Sequence, residues 1–223
     1  MDMKLFFQAI IKFIAGVLII GALLFVPAKS FNYWNGWLFM GLLFVPMITF
    51  GIILMIKNPE LLRKRLNSKE KQTEQKIVIL LSGLMFLVGF ILAGLNYRYN
   101  WTELPNIVII ISSIIFVVAY ILYAEILKEN MYLSRTIEVQ KNQKVIDTGM
   151  YGIIRHPMYT ITILLFLTMP LILGSLISFI IFLIYPIIIA KRIKNEEIVL
   201  EKQLKGYSEY KNKVKYKIIP YVW

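Results

Sequence analysis

Long apolar runs separated by short polar stretches dominate the chain. Each of the first four runs has about the twenty residues that an α-helix needs to cross the hydrocarbon core of a bilayer. Prolines, lysines and aromatic residues stand at their ends, as expected where a helix leaves the membrane. The pattern therefore predicts four transmembrane helices, over roughly residues 9–26, 36–56, 77–95 and 107–127.

The apolar stretch after Pro157 differs from these four because it is interrupted. It breaks at Gly174 and Ser175 and resumes to about Ala190, so each half has about sixteen residues, slightly fewer than a full span needs. A basic tail follows and must return to the side on which the stretch began. These features predict a terminal transmembrane helical hairpin.

Composition and charge fit an all-α integral membrane protein. Hydrophobic residues make up 58% of the 223 residues, above the roughly 45–50% of soluble domains. Basic residues concentrate in the loop 57–76 and in the segment 128–155, whereas the loop 96–106 has only Arg98. By the positive-inside rule both termini are predicted to be cytoplasmic. We expect one membrane domain over residues 1–223, with a four-span part to residue 127 and a C-terminal part from residue 128.

The same composition speaks against several kinds of site. The net charge of +12 suits anionic lipid heads, and no interleaved basic and aromatic stripe outside the membrane indicates nucleic-acid binding. The chain has no cysteine, which excludes disulfides and thiolate nucleophiles. With a single histidine, we expect no metal site.

That histidine lies where a polar segment enters the membrane. Pro157 suits the first turn of a helix, which places Arg155 and His156 at the helix N-terminus. Backbone N–H groups and the helix dipole there favour an anionic group. A solvated histidine beside a snorkelling arginine would leave the same pattern, so both interpretations stay open at this point.

A second polar cluster follows the hairpin. Arg192 and Glu196 are four residues apart and share one face of a helix, and Glu197 stands beside them. From spacing alone, a solvated helix with internal ion pairs is the favoured interpretation. Tyr207 and Tyr210, further on, are expected to pack at the membrane interface.

Taken together, these motifs resemble a known family. Arg155 to Tyr159, the hydrophobic hairpin, Glu196-Glu197 and the tyrosines after Gly206 look like the C-terminal half of the isoprenylcysteine carboxyl methyltransferase family. Phospholipid N-methyltransferases share the arginine–histidine–proline signature, and the stretch from Asn58 to Leu62 resembles bacterial members. The strong similarity covers roughly residues 147–220.

The resemblance implies S-adenosylmethionine bound at the cytoplasmic face and a lipid-like acceptor that enters from the bilayer of a bacterial cell membrane. The acceptor group, a carboxylate, hydroxyl or amine, stays open. Eukaryotic members carry an arginine near the substrate in the C-terminal helical region, whereas here Arg192 precedes the acidic pair and only lysines follow it. The implied cofactor-binding residues are Arg155, His156, Tyr159, Tyr151, Glu196 and Glu197, and the implied catalytic residues are Glu196, Glu197 and Arg192.

Two alternatives remain from the sequence. Membrane sterol reductases, which use NADPH, have a similar C-terminal pattern and an ending like 216–220, but they carry asparagine where this chain has Met158. A non-enzymatic membrane subunit would make the two polar clusters accidental. Both enzymatic hypotheses require His156 to lie near Glu196 or Glu197 around a cavity, and a separation beyond about 15 Å, several times hydrogen-bond reach, would exclude them.

Overall fold

The computed structural model describes residues 3–67, 73–134 and 136–223. Lys69, Lys71 and Arg135, which contribute to the predicted topology, lie outside these residues. The described part is helical and contains no strand; its only β-type pairing is an isolated bridge between Ile154 and Tyr216. Its helices are α1 (Met3–Ala28), α2 (Trp34–Lys57), α3 (Pro59–Leu66), α4 (Thr73–Tyr99), α5 (Asn106–Glu129), α6 (Pro157–Ile172), α7 (Leu176–Phe182), α8 (Tyr185–Gln203) and α9 (Tyr207–Lys213), with a 3₁₀ turn at Gly149–Gly152.

The predicted membrane class is confirmed. Five stretches of the described chain are long and apolar enough to cross a membrane. Four of them, α1, α2, α4 and α5, coincide with the four predicted spans and extend a few residues further at their ends. The fifth is Leu176–Gln203, and α6 is a shorter apolar helix, so a full crossing by both hairpin arms stays a prediction.

The turn between the hairpin arms lies where the sequence places it. Gly174 has a φ of +73°, a left-handed conformation that glycine adopts at little cost. The Ser175 side chain then accepts a hydrogen bond from the Ser178 backbone N–H and so caps α7. Beyond the turn the two arms lie side by side, with the rings of Phe166 and Tyr185 4.5 Å apart between centroids.

The second arm differs from the prediction in being two helices, α7 and α8. Pro186 is the second residue of α8 and has no backbone N–H to donate. Its ring would also clash with the carbonyl group four residues earlier, at Phe182, where α7 ends. Beyond the apolar run, α8 continues through the charged tail to Gln203, which carries the acidic pair on a regular helix.

Gly94 allows α1 and α4 to approach closely. A Cβ atom added at Gly94 would lie 2.4 Å from the Leu24 carbonyl oxygen and 3.2 Å from the Ala28 backbone nitrogen. Small residues commonly permit such backbone contact between membrane helices. The position therefore offers a direct test of how the N-terminal helices pack.

We expect Gly94→Ala to lower the free energy of unfolding by about 1–3 kcal/mol, as overpacking does. The measurement is the thermal unfolding midpoint of the detergent-solubilised protein. Gly83→Ala is the matched control on α4, since no neighbouring atom lies within 4 Å of the added carbon and alanine favours helix over glycine. Equal midpoints for the two variants would contradict the close contact.

Candidate active site

The C-terminal segment runs against the start of α6. The Arg155 and His156 backbone N–H groups donate to the carbonyl oxygens of Tyr216 and Lys217, at 2.9 and 2.8 Å. The Thr160 hydroxyl donates to the Ile218 carbonyl at 2.8 Å. Pro157 is the first residue of α6 as predicted, but these two N–H groups before it are bonded to protein carbonyls. The sequence suggested that these N–H groups could bind an anion. In the structure they are already bonded within the protein.

Arg155, His156 and Glu197 form a buried cluster, each exposing 6% or less of its surface. The Arg155 Nε donates to Glu197 Oε1 at 2.7 Å, and the His156 Nε2 lies 3.2 Å from the same oxygen. The Lys217 ammonium lies 3.3 Å from Glu197 Oε2. Arg155 Nη1 also donates to the carbonyls of Val214 and Lys215. Glu197 thus joins α8, the start of α6 and the C-terminal segment.

A cavity opens next to this cluster. The space between its walls amounts to about 830 Å³, including space open to solvent. Its walls come from residues within 130–134 and 136–146, the 3₁₀ turn, the start of α6, the middle of α8 and α9. The polar wall includes Tyr151, His156, Tyr159, Arg192, Glu196 and Tyr207.

Tyr159 organises the polar wall of the cavity. Its hydroxyl donates to Glu196 Oε2 and accepts from Arg192 Nε at 2.9 Å. The His156 ring stacks on the Tyr159 ring with 5.7 Å between centroids. Residues 156 and 159 lie one turn apart at the start of α6, and residues 192 and 196 one turn apart on α8. The two helices therefore present these four side chains to one space.

The two neighbouring glutamates have different environments. Glu196 lines the cavity, and its Oε2 atom accepts a hydrogen bond from the Tyr159 hydroxyl. Glu197 is not part of the described cavity wall, because its carboxylate is bonded within the buried cluster. The solvated helix that spacing alone favoured is therefore not observed at Glu197, which is 5% exposed.

Two buried tyrosine hydroxyls at the cavity have no hydrogen-bond partner among the described residues, those of Tyr151 and Tyr207. The Asn130 side chain lies close to the Tyr151 hydroxyl without hydrogen-bond geometry. Burial raises the pKa of both phenols far above the usual range, so both hydroxyls keep their protons and can donate. Tyr207 was expected to pack at the membrane interface; it belongs to the motif after Gly206 that carries the family resemblance, but nothing in the sequence indicated its place in the cavity wall.

The geometric condition set by the sequence is met. His156 lies 3.2 Å from Glu197 and shares a cavity wall with Glu196. The two polar clusters, forty residues apart along the chain, therefore form one site. No group of three or more histidine, aspartate or glutamate side chains that could hold a metal ion occurs among residues 3–67, 73–134 and 136–223.

Comparison with known proteins identifies the same family as the sequence motifs. No curated protein matches the sequence. The model of the isoprenylcysteine carboxyl methyltransferase (ICMT) family matches residues 108–202, less than half of the chain. This stretch contains the start of α6 and most of α8, and so supplies Arg155, His156, Arg192 and the glutamate pair. The resemblance recognised from the motifs is thus confirmed: residues 108–202 match the model of the ICMT family.

Proposed function

We propose that this membrane protein transfers a methyl group from S-adenosylmethionine to a lipid-like acceptor at the border of membrane and cytoplasm. The coarser part of this statement, a membrane methyltransferase, follows from the family match. The observation that supports the finer part is the cavity in which Glu196, Tyr159 and Arg192 meet beside His156.

The described residues fit the polar groups of this cofactor. It carries an ammonium group and a ribose diol, both donors, for which the Glu196 carboxylate is a suitable acceptor. It also carries a carboxylate, for which Arg192 and the protonated tyrosine hydroxyls are suitable donors. When bound, the cofactor supplies an electrophilic methyl group whose transfer to an acceptor lone pair leaves the bonding electrons on sulfur, so that S-adenosylhomocysteine is the second product.

The protein's own part is alignment and exclusion of water. The Tyr159 hydroxyl on α6 donates to Glu196, and Arg192 donates to that hydroxyl, so Glu196 is held through Tyr159. An acceptor carboxylate reacts without losing a proton. A phenol or amine must release one, and Glu196 is then the nearest base. In this proposal Arg155, His156 and Glu197 position the cavity wall, because their polar atoms bond to one another and to the C-terminal segment.

The cavity wall also contains apolar side chains. Leu133, Met158, Leu200 and Leu204 contribute to the wall, which suits an aliphatic molecule. In this proposal such an acceptor enters the cavity from the bilayer. We place the site on the cytoplasmic side of a bacterial cell membrane, with both termini in the cytoplasm, from the basic loops and the resemblance to bacterial members.

The test is calorimetric binding of S-adenosylhomocysteine and of NADPH to the detergent-solubilised protein. Binding of S-adenosylhomocysteine alone is expected, because the cavity offers acceptors and donors for an amino-acid group. Binding of NADPH alone would replace the proposal by the reductase hypothesis. Binding of neither compound, with and without added membrane lipid extract, would favour a non-enzymatic role.

A further inference from the structure

Tyr207 begins α9, directly after a reversal of the chain. Gly206 has a φ of +86°, a left-handed conformation that side-chain-bearing residues rarely adopt. The reversal folds α9 back against the end of α8, where Tyr207, Tyr210, Leu204 and Val214 form a small buried cluster. Both tyrosines are thereby fixed, with 4% and 6% of their surfaces exposed.

The hydroxyls of these two tyrosines differ in their partners. The Tyr210 hydroxyl donates to the Tyr151 carbonyl oxygen at 2.7 Å. Tyr207 and Tyr210 both contribute to the cavity wall, but the Tyr207 hydroxyl is buried and no atom of the described residues bonds to it. A buried donor without a partner destabilises a folded protein, so native proteins keep few of them. A ligand acceptor in the cavity would satisfy this group.

The surroundings of Tyr207 make it a donor. Burial and the negative charges of Glu197 and Glu196 hold its pKa well above the usual range, so the phenol keeps its proton. Neither glutamate bonds to this hydroxyl, since their described hydrogen bonds are to other groups. A fixed neutral donor on a residue that lines a polar cavity is suited to recognise an acceptor atom of a small molecule.

We propose that Tyr207 is a cofactor-binding residue whose hydroxyl donates a hydrogen bond to an acceptor atom of S-adenosylmethionine, either in the adenosyl part or in the amino-acid carboxylate. This inference rests on the proposed function and extends the site to α9, beyond the stretch that matches the family. The turn at Gly206 contributes to the proposed site, since it brings Tyr207 to the cavity wall.

The test compares Tyr207→Phe with Tyr210→Phe, two losses of one hydroxyl on the same short helix. In the unliganded protein, Tyr207→Phe is expected to leave the thermal midpoint unchanged or to raise it, because no bond is lost. Its affinity for S-adenosylhomocysteine should fall by about threefold to a hundredfold, the range for one hydrogen bond to a neutral or a charged acceptor. Tyr210→Phe should lower the midpoint and change the affinity by less than about twofold, since its bond is internal.

Methylthioadenosine, which lacks the amino-acid group, locates the acceptor atom. If Tyr207→Phe weakens the binding of both compounds equally, the acceptor lies in the adenosyl part. If it weakens only S-adenosylhomocysteine, the acceptor is the carboxylate. Unchanged affinity for both compounds, or an equal loss in Tyr210→Phe, would overturn the assignment. Failure of the unsubstituted protein to bind either compound would instead refute the proposed function, and this inference with it.

Discussion

Replacing Glu197 by alanine is expected to lower the free energy of unfolding by about 3–5 kcal/mol, the usual cost of removing one partner from a buried ion pair. Glu197 is the only acidic side chain bonded to the Arg155 guanidinium among the described residues. Without it, Arg155 would keep its charge in a site that is 6% exposed. Lys217 would also lose its partner, and the C-terminal segment an attachment to α8.

The measurement is thermal unfolding in detergent, where a loss of this size should lower the midpoint by roughly 6–20 °C. Glu201→Ala is the matched control on α8. Glu201 forms an ion pair with Lys211 in which both side chains are more than a third exposed, and exposed pairs contribute about 1 kcal/mol or less. A Glu197→Ala midpoint within a few degrees of that control would contradict a structural role for the buried cluster.

Replacing Glu196 by glutamine is expected to reduce cofactor binding strongly and stability little, in contrast to the Glu197 substitution. The amide keeps an oxygen for the Tyr159 hydroxyl, which now donates to Glu196 Oε2. It loses the charge that we assign to the cofactor's ammonium group or ribose diol. Affinity for S-adenosylhomocysteine should therefore fall by about tenfold to a hundredfold, the equivalent of one charged hydrogen bond.

Calorimetry on Glu196→Gln, with Glu201→Gln as the control, measures this effect. Transfer of a labelled methyl group from S-adenosylmethionine into a membrane lipid extract provides a second reading. Glu201 is farther along α8 and bonded to Lys211, so its variant should bind like the unsubstituted protein. If Glu196→Gln binds S-adenosylhomocysteine normally but no longer transfers methyl groups, Glu196 acts on the acceptor and does not hold the cofactor. Normal binding and normal transfer together would remove Glu196 from the site.

The sequence predicts the helices of this protein well because the residues that favour and end each helix are close together in the chain. A run of about twenty apolar residues has few alternatives to a spanning helix, since the hydrocarbon core offers no partner for free backbone groups. The turn at Gly174 and the start of α6 at Pro157 follow from the conformations that glycine and proline allow. The break between α7 and α8 was not predicted, although Pro186 signals it, because the apolar run continues across it.

The site could be predicted only as a set of candidates. Its motifs identify Arg155, His156 and the glutamate pair, and the family match supports the region. They do not say which glutamate faces the cavity. Successive residues of an α-helix point about 100° apart, so Glu196 and Glu197 must have different neighbours, and the rotation of α8 against α6 decides which neighbours those are.

Contacts between residues distant in the chain determine the remaining features of the site. The partners of Arg155 include carbonyls some sixty positions later, and nothing in either local sequence specifies that pairing. Tyr207 and Tyr210 look equivalent in the sequence, yet the Tyr210 hydroxyl is bonded to Tyr151 and the Tyr207 hydroxyl has no partner among the described residues. The sequence alone thus determined a helical membrane protein, its resemblance to the ICMT family and its candidate site residues. Tertiary packing determined which candidate residues are bonded inside the protein and which line the cavity, because burial and hydrogen bonding depend on the neighbours of each side chain in the folded chain.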